Sequence, residues 1–192
     1  MTQGRSPKLK QNGAPATTYV ALFRGINVGG RNTLPMKELS AILGDLGCEN
    51  VETYIQSGNV VFRSHKKQKD KLAEEIGQRI LKKFKFEPKV LLLDVKGLKN
   101  AIKSNPFDNK DARALHFFFL DSLSTAPDLE RLEALKTESE KFKLNRTVFY
   151  LYAPDGIGRS KLVANVEKCL GAPVTARNWN TVSKLMEIVA QG

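Results

Sequence analysis

Three short stretches gather the residue types that hold anions or stack on rings. The first is FRGINVGGRNTLP, Phe23 to Pro35, in which Arg24, Asn27, Gly29, Gly30, Arg31 and Asn32 follow an apolar run. Gly25 and Gly30 enclose four residues, the spacing of G-x-x-x-x-G-K-[ST], whose backbone N–H groups cradle phosphates. The next two positions are Arg31 and Asn32, so the lysine is lost, and with it the hydroxyl that would hold Mg²⁺. Helical spacing also resumes only at Pro35, too late for such a loop. A nucleoside-triphosphatase loop is excluded. What is left is an amide-rich turn between two arginines, the composition of an anion-binding nest. The plain alternative is that its glycines only supply backbone angles closed to other residues.

The second stretch is YAPDGIGRSKL, residues 152–162, where Gly156 and Gly158 precede Arg159, Ser160 and Lys161 at a predicted helix start. Free N–H groups and the positive dipole end favour an anion there, although an ordinary helix start with two solvated cations has the same composition. The third is TARNWNTVSKL, residues 175–185, with Arg177, Asn178, the only tryptophan (Trp179) and Thr181 at another helix start. Asn178 or Thr181 suits an N-cap. An arginine beside a tryptophan offers a bidentate oxyanion donor and a stacking face.

Other chemistry finds little support. His65 sits in a basic loop and His116 in an apolar strand, without HxxH or HExxH spacing, so no metal site is expected. Cys48 and Cys169 have no CxxC spacing and no local group to activate a thiolate. Asp155 and Glu52 would serve as general bases only if the fold brought a substrate to them. No motif calls for a cofactor, and whether the chain is an enzyme stays open.

The charge balance is strongly basic, with 31 Lys and Arg against 20 Asp and Glu, net +11, and a pI near 9.7. Residues 1–16 carry Arg5, Lys8 and Lys10 without an acid and read as a disordered tail. Between Arg63 and Lys89 ten cations oppose four acids, which admits nucleic acid as a weaker candidate partner. The aromatic pairs Phe117/Phe119 and Tyr150/Tyr152 alternate as base-stacking residues do, but also as core residues do. No stretch approaches the roughly 20 apolar residues of a membrane span, and no secretory signal is legible. A cytoplasmic setting, without membrane association, is the expectation.

The elements that must position these loops form a pattern that occurs twice. TTYVALFR (17–24) reads as a strand, and Met36, Leu39, Ile42, Leu43 and Leu46 as the apolar face of a helix opened by Pro35. VETYIQ (51–56) and NVVFRS (59–64) read as a hairpin turning at Ser57-Gly58. A helix over 68–84 and a buried strand over 88–94 complete β-α-β-β-α-β, the ferredoxin-like order. After a connecting helix and linker over 95–113 the order recurs. A strand (114–120) and a helix opened by Pro127 come first, then a hairpin (140–145 and 147–153), a helix (158–170) and a strand (172–176). One further helix ends the chain, its apolar face Val182, Leu185, Met186 and Val189. The predicted fold is therefore α+β: two tandem ferredoxin-like halves, 17–94 and 114–192, the second with an extra C-terminal helix.

Taken together, YVALFRGINVGGRN, YIQSGNVVF, NPF and TARNWNTVSKL resemble the signature of domain-of-unknown-function family 1697, a widespread bacterial group, from about Thr18 to Ile188. The resemblance implies two ferredoxin-like halves and supplies no reaction. Its signature falls on polar residues of loops and strand ends, adding Ser57 and Asn59 to the candidates. Within one half the loop after the first strand and the hairpin turn are expected at opposite ends of the sheet. Two clusters are therefore expected, with the RNWNT turn meeting the glycine-rich loop where the halves join. The expected function is binding of an anionic or phosphorylated small molecule, nucleotides included, at these loops. The alternatives are nucleic-acid binding by the 63–89 face and catalysis on an anionic substrate.

Overall fold

The computed structural model describes residues 15–108 and 110–192; the tail expected to be disordered lies almost wholly outside them. Strand β1 (Thr17–Arg24) leads to helix α1 (Met36–Asp45), and strands β2 (Glu49–Tyr54) and β3 (Asn59–Ser64) form a hairpin. Helix α2 (Lys69–Phe84) and strand β4 (Lys89–Asp94) follow, then the connecting helix α3 (Val95–Lys103). The second half runs β5 (Leu115–Leu120), α4 (Leu129–Leu135), β6 (Lys141–Asn145), β7 (Val148–Tyr152), α5 (Lys161–Leu170), β8 (Val174–Asn178) and α6 (Trp179–Gln191). The fold is mixed α and β, with two four-stranded antiparallel sheets ordered β2-β3-β1-β4 and β6-β7-β5-β8.

Side-chain alternation along the strands sorts the apolar residues into three cores. Tyr19, Ala21 and Phe23 of β1 and Phe62 of β3 face α1 and α2, where Leu39, Leu43, Leu72 and Ile76 are buried. Phe118, Phe149 and Leu151 face α4 and α5, against Leu132, Leu162 and Val166. The remaining faces meet each other. Val20, Leu22 and Val61 share a core with Phe117, Phe119 and Tyr150, and with Leu98 of α3 and Val182 and Leu185 of α6. Phe117, Phe119 and Tyr150 are thus buried between the sheets and present no free face to a base. This central core is what fixes one half upon the other.

Several boundaries differ from the sequence reading. Strand β2 stops at Tyr54, and the turn occupies Ile55–Gly58 rather than Ser57-Gly58 alone. Ile55 adopts φ 50°, a conformation costly to a β-branched side chain, so it cannot continue the strand. Strand β8 starts two residues later than expected and runs through Arg177 and Asn178, because their register partners on β5 are Phe117 and His116. Helix α5 begins at Lys161 rather than near Gly158, with Ser160 as its N-cap.

Candidate functional site

The glycine-rich loop forms a small hairpin rather than an open cradle. Val28 and Arg31 pair across Gly29 and Gly30, both with positive φ, while Asn27 N donates to Asn32 O at 3.1 Å. Such two-residue turns require left-handed backbone, the conformation glycine adopts at little cost. The asparagines are spent holding the hairpin in place. Asn27 Nδ2 donates to Leu34 O (3.0 Å) and Gln56 O (2.7 Å), its Oδ1 accepts from Leu34 N, and Asn32 Nδ2 donates to Gly25 O. The tip projects outward, leaving Val28 66% and neighbouring Ile55 52% exposed.

The bond from Asn27 to Gln56 corrects one expectation. The loop after β1 and the β2–β3 turn lie at the same end of the sheet, since β1 and β3 run antiparallel with Leu22 opposite Asn59. The end of one strand therefore meets the start of the other. Phe23 N donates to Gly58 O at 2.8 Å, and Gly58 is pressed so closely that an added Cβ would lie 2.6 Å from Phe23 Cβ.

Arg177 meets this same end from the second half. Its Nε donates to Asn59 Oδ1 at 2.5 Å, Nη2 to Phe23 O at 2.7 Å and to Ser57 O and Gly58 O at 3.2 Å each, and Nη1 to Ala176 O at 2.7 Å. Burial pushes its pKa down to about 10, which leaves it cationic at neutral pH. Asn59 is fully buried and completes its own bonding through Nδ2, to Tyr54 O and to Ser57 Oγ. Arg24 forms a second crossing. It grips Glu167 of α5 with both terminal nitrogens, at 2.5 and 2.9 Å, while Glu167 Oε1 also accepts from Val174 N at 2.7 Å. The expected two clusters are therefore one junction, held by Arg177 through five bonds to protein atoms and by Arg24 through its ion pair with Glu167.

The other signature residues have local tasks. Asn178 caps α6 by accepting from Thr181 N at 3.0 Å, and Thr181 is buried. Trp179 packs its ring on Phe117, centroids 5.8 Å apart. Ser160 caps α5 by accepting from Val163 N, and Lys161 is exposed beside it. Among the described residues no group of three or more His, Cys, Asp or Glu is placed to hold a metal, and no helix is long and apolar enough to cross a membrane.

A cavity lies elsewhere. A cleft of about 780 Å³ separates β4 and α3 from the end of β5 and the β6–β7 turn. Its walls include Val90, Leu91, Leu93 and Phe119, with Asn100, Ser122 and Thr147 as uncharged polar groups. Lys69 and Arg146 bring positive charge, Asp70 and Asp121 negative. Burial raises the Asp121 pKa and Glu167 adds to the rise, while Arg24 and Lys89 oppose it. One end of the cleft thus abuts the Arg24 crossing. None of the candidate anion-binding residues of the three loops or the β2–β3 turn lines this space. No local motif marks it, because it exists only once the two halves are packed.

A family model described as a protein of unknown function (DUF1697) matches residues 16–150. The chain belongs to that family. The match spans the Arg24 loop and the β2–β3 turn and stops short of Arg177, so it covers one side of the junction in this DUF1697 chain. A conserved bacterial protein from Streptococcus pneumoniae, SP0830, has a solved structure similar to this one at a TM-score of 0.73. It is 26% identical, over 91% of this chain and 99% of that one. No curated protein matches the chain.

Proposed function

We propose that this chain is a binding protein whose small ligand lies in the cleft between its halves. In this reading each half, 17–94 and 114–192, is a ferredoxin-like unit, and 95–113 is the connector. The strand orders β2-β3-β1-β4 and β6-β7-β5-β8, each on a β-α-β-β-α-β chain, support that reading.

The observation that carries the binding proposal is the cleft itself. Its 780 Å³ falls within the range of small-molecule sites, which favour apolar walls, a few polar groups and the seam between two units. An anion held at the glycine-rich loops would have to displace Glu167 from Arg24, or backbone carbonyls from Arg177. The cleft asks for no such exchange. The basic 63–89 face supports nucleic-acid binding less, since Lys66 pairs with Glu75 and Lys83 with Glu38.

The test is a thermal-shift screen of amino acids, short peptides, nucleotides and inorganic phosphate on the whole chain. At a hundredfold excess over Kd, binding adds about 2.7 kcal/mol, or roughly 5–11 °C for a protein of this size. The shift should vanish in Ser104→Trp, which fills the cleft from an exposed helix end. If no probe shifts the protein, or the shift survives Ser104→Trp, the cleft is not the site.

A further inference from the structure

Strand β4 contributes four consecutive residues, Val90, Leu91, Leu92 and Leu93, to the wall of the cleft. Strand β4 pairs only with β1, along an unbroken register from Tyr19↔Asp94 to Arg24↔Lys89. In an antiparallel pair alternate residues turn their N–H and C=O groups away from the partner. A bare edge of this kind is a template for another strand, and folded proteins ordinarily blunt it with charge, bulges or cover.

The other three edges are blunted. Strand β2 is interrupted by a register shift between Glu49 and Glu52 and carries both carboxylates. Strand β6 presents exposed Lys141 and Lys143. Strand β8 lies against the first sheet's end, tied there by Arg177, and its Val174 N is taken up by Glu167 of α5. Among the described strands, only β4 combines a continuous ladder, an apolar sequence (VLLL) and residues lining a cavity.

We infer that the ligand is a short extended peptide with apolar side chains and free termini, added to the edge of β4 as a fifth strand; this rests on the cleft being the binding site. Four lining residues span about 13 Å at roughly 3.3 Å per residue, which suits a peptide of three or four residues. A folded partner would not enter a space of 780 Å³. The cleft carries charge of both signs, Lys69 and Arg146 with Asp70 and Asp121, which complements a zwitterion better than an anion. Main-chain bonds would give affinity, and the half-buried Leu91 and Leu93 would favour apolar side chains.

The experiment uses the whole chain and a pool of synthetic apolar tetrapeptides with free termini, read by calorimetry and amide hydrogen exchange. The expected result is binding, with slowed exchange at alternate amides within Val90–Leu93. Methylating alternate backbone nitrogens of the peptide removes ladder donors and keeps every side chain. One methylation register should lose at least about tenfold in affinity, and the other should not. Equal binding of both methylated forms would refute strand addition. If tetrapeptides fail but another probe gives a shift abolished by Ser104→Trp, the peptide inference falls and the cleft reading stands. If nothing binds, both fall. Slowed exchange that depends only on protein concentration would assign the edge to a second copy of the chain instead.

Discussion

Replacing Arg177 by methionine keeps much of the side chain's reach and removes every hydrogen bond it makes across the junction. Asn59 would retain both donations from Nδ2 but lose the partner of its buried oxygen. Gly58 O would still accept from Phe23 N at 2.8 Å, so its loss is small. A buried acceptor left unpaired costs about 1–3 kcal/mol, and a bond to a charged donor contributes about 1.5–3 kcal/mol. Part of this is returned, because the guanidinium no longer has to be buried, a cost visible in a pKa pushed down to about 10. A net loss of about 3 kcal/mol is the balance, or roughly 6–12 °C in Tm for a chain of this length.

Calorimetric melting checks the size, and native-state hydrogen exchange checks the place. The amides of Phe23 and of the Ile55–Gly58 turn should exchange faster, while those of α2 and β7 should change only as far as global stability does. Arg177→Lys should recover little, since an ammonium cannot reproduce the fork that spans Asn59, Phe23 and Gly58. A double-mutant cycle with Asn59→Ala should give a coupling of about 1–3 kcal/mol. A Tm within about 2 °C of the native protein would mean a contribution below about 1 kcal/mol and would refute the clamp.

Gly58→Ala should be at least as damaging, because its φ is +73° and the new Cβ would lie 2.6 Å from Phe23 Cβ and 2.7 Å from Ile26 Cδ1. A loss of about 2–5 kcal/mol is expected from strain and overpacking together, checked by urea denaturation. Ile55→Gly should instead stabilise by about 0.5–1 kcal/mol, since it relieves a β-branched residue at φ 50°; a destabilised variant would show that Ile55 makes a contact worth more than its strain. His116 is buried, its Nε2 without a partner among the described residues, and burial lowers its pKa below the ordinary 6.5. The unfolded chain therefore binds this proton first, so stability is unaffected above about 6.5 and falls as pH drops from there toward the folded value. His116→Phe should flatten that part of the pH–stability curve, and an unchanged acid limb would remove His116 from the account.

How much of this was legible in the sequence depended on how local each cause is. The face Leu39, Ile42 and Leu43 announces α1 because helical period and burial coincide. The six residues of β5, LHFFFL, are all buried, so alternation cannot say which side meets the other sheet. The paired glycines Gly29-Gly30 were a hairpin signal as well as half of a phosphate-loop spacing, and the hairpin is what formed. The role of Arg177 was out of reach, since Phe23 lies 154 residues away in sequence. Glu167, 143 residues from Arg24, looks like any exposed acid on an amphipathic helix. The cleft is less legible still, because its walls come from α2, β4, α3, β5 and the β6–β7 turn and owe their proximity to the central core.

The signature residues and the cleft nevertheless bear on one another. A cavity between two packed units keeps its shape only if the units keep their spacing, and polar ties can fix that spacing more exactingly than apolar contact, which tolerates sliding. Arg177 grips three carbonyls and a buried amide at the end of β1, and Arg24 grips α5 from the last residue of the same strand. Strand β4 is bonded to β1 over its whole length, so whatever holds β1 also holds the strand whose residues line the cleft. On this argument the polar residues that first looked like ligands for an anion act one step back from any ligand. They set the distance between an unpaired strand and the wall opposite it.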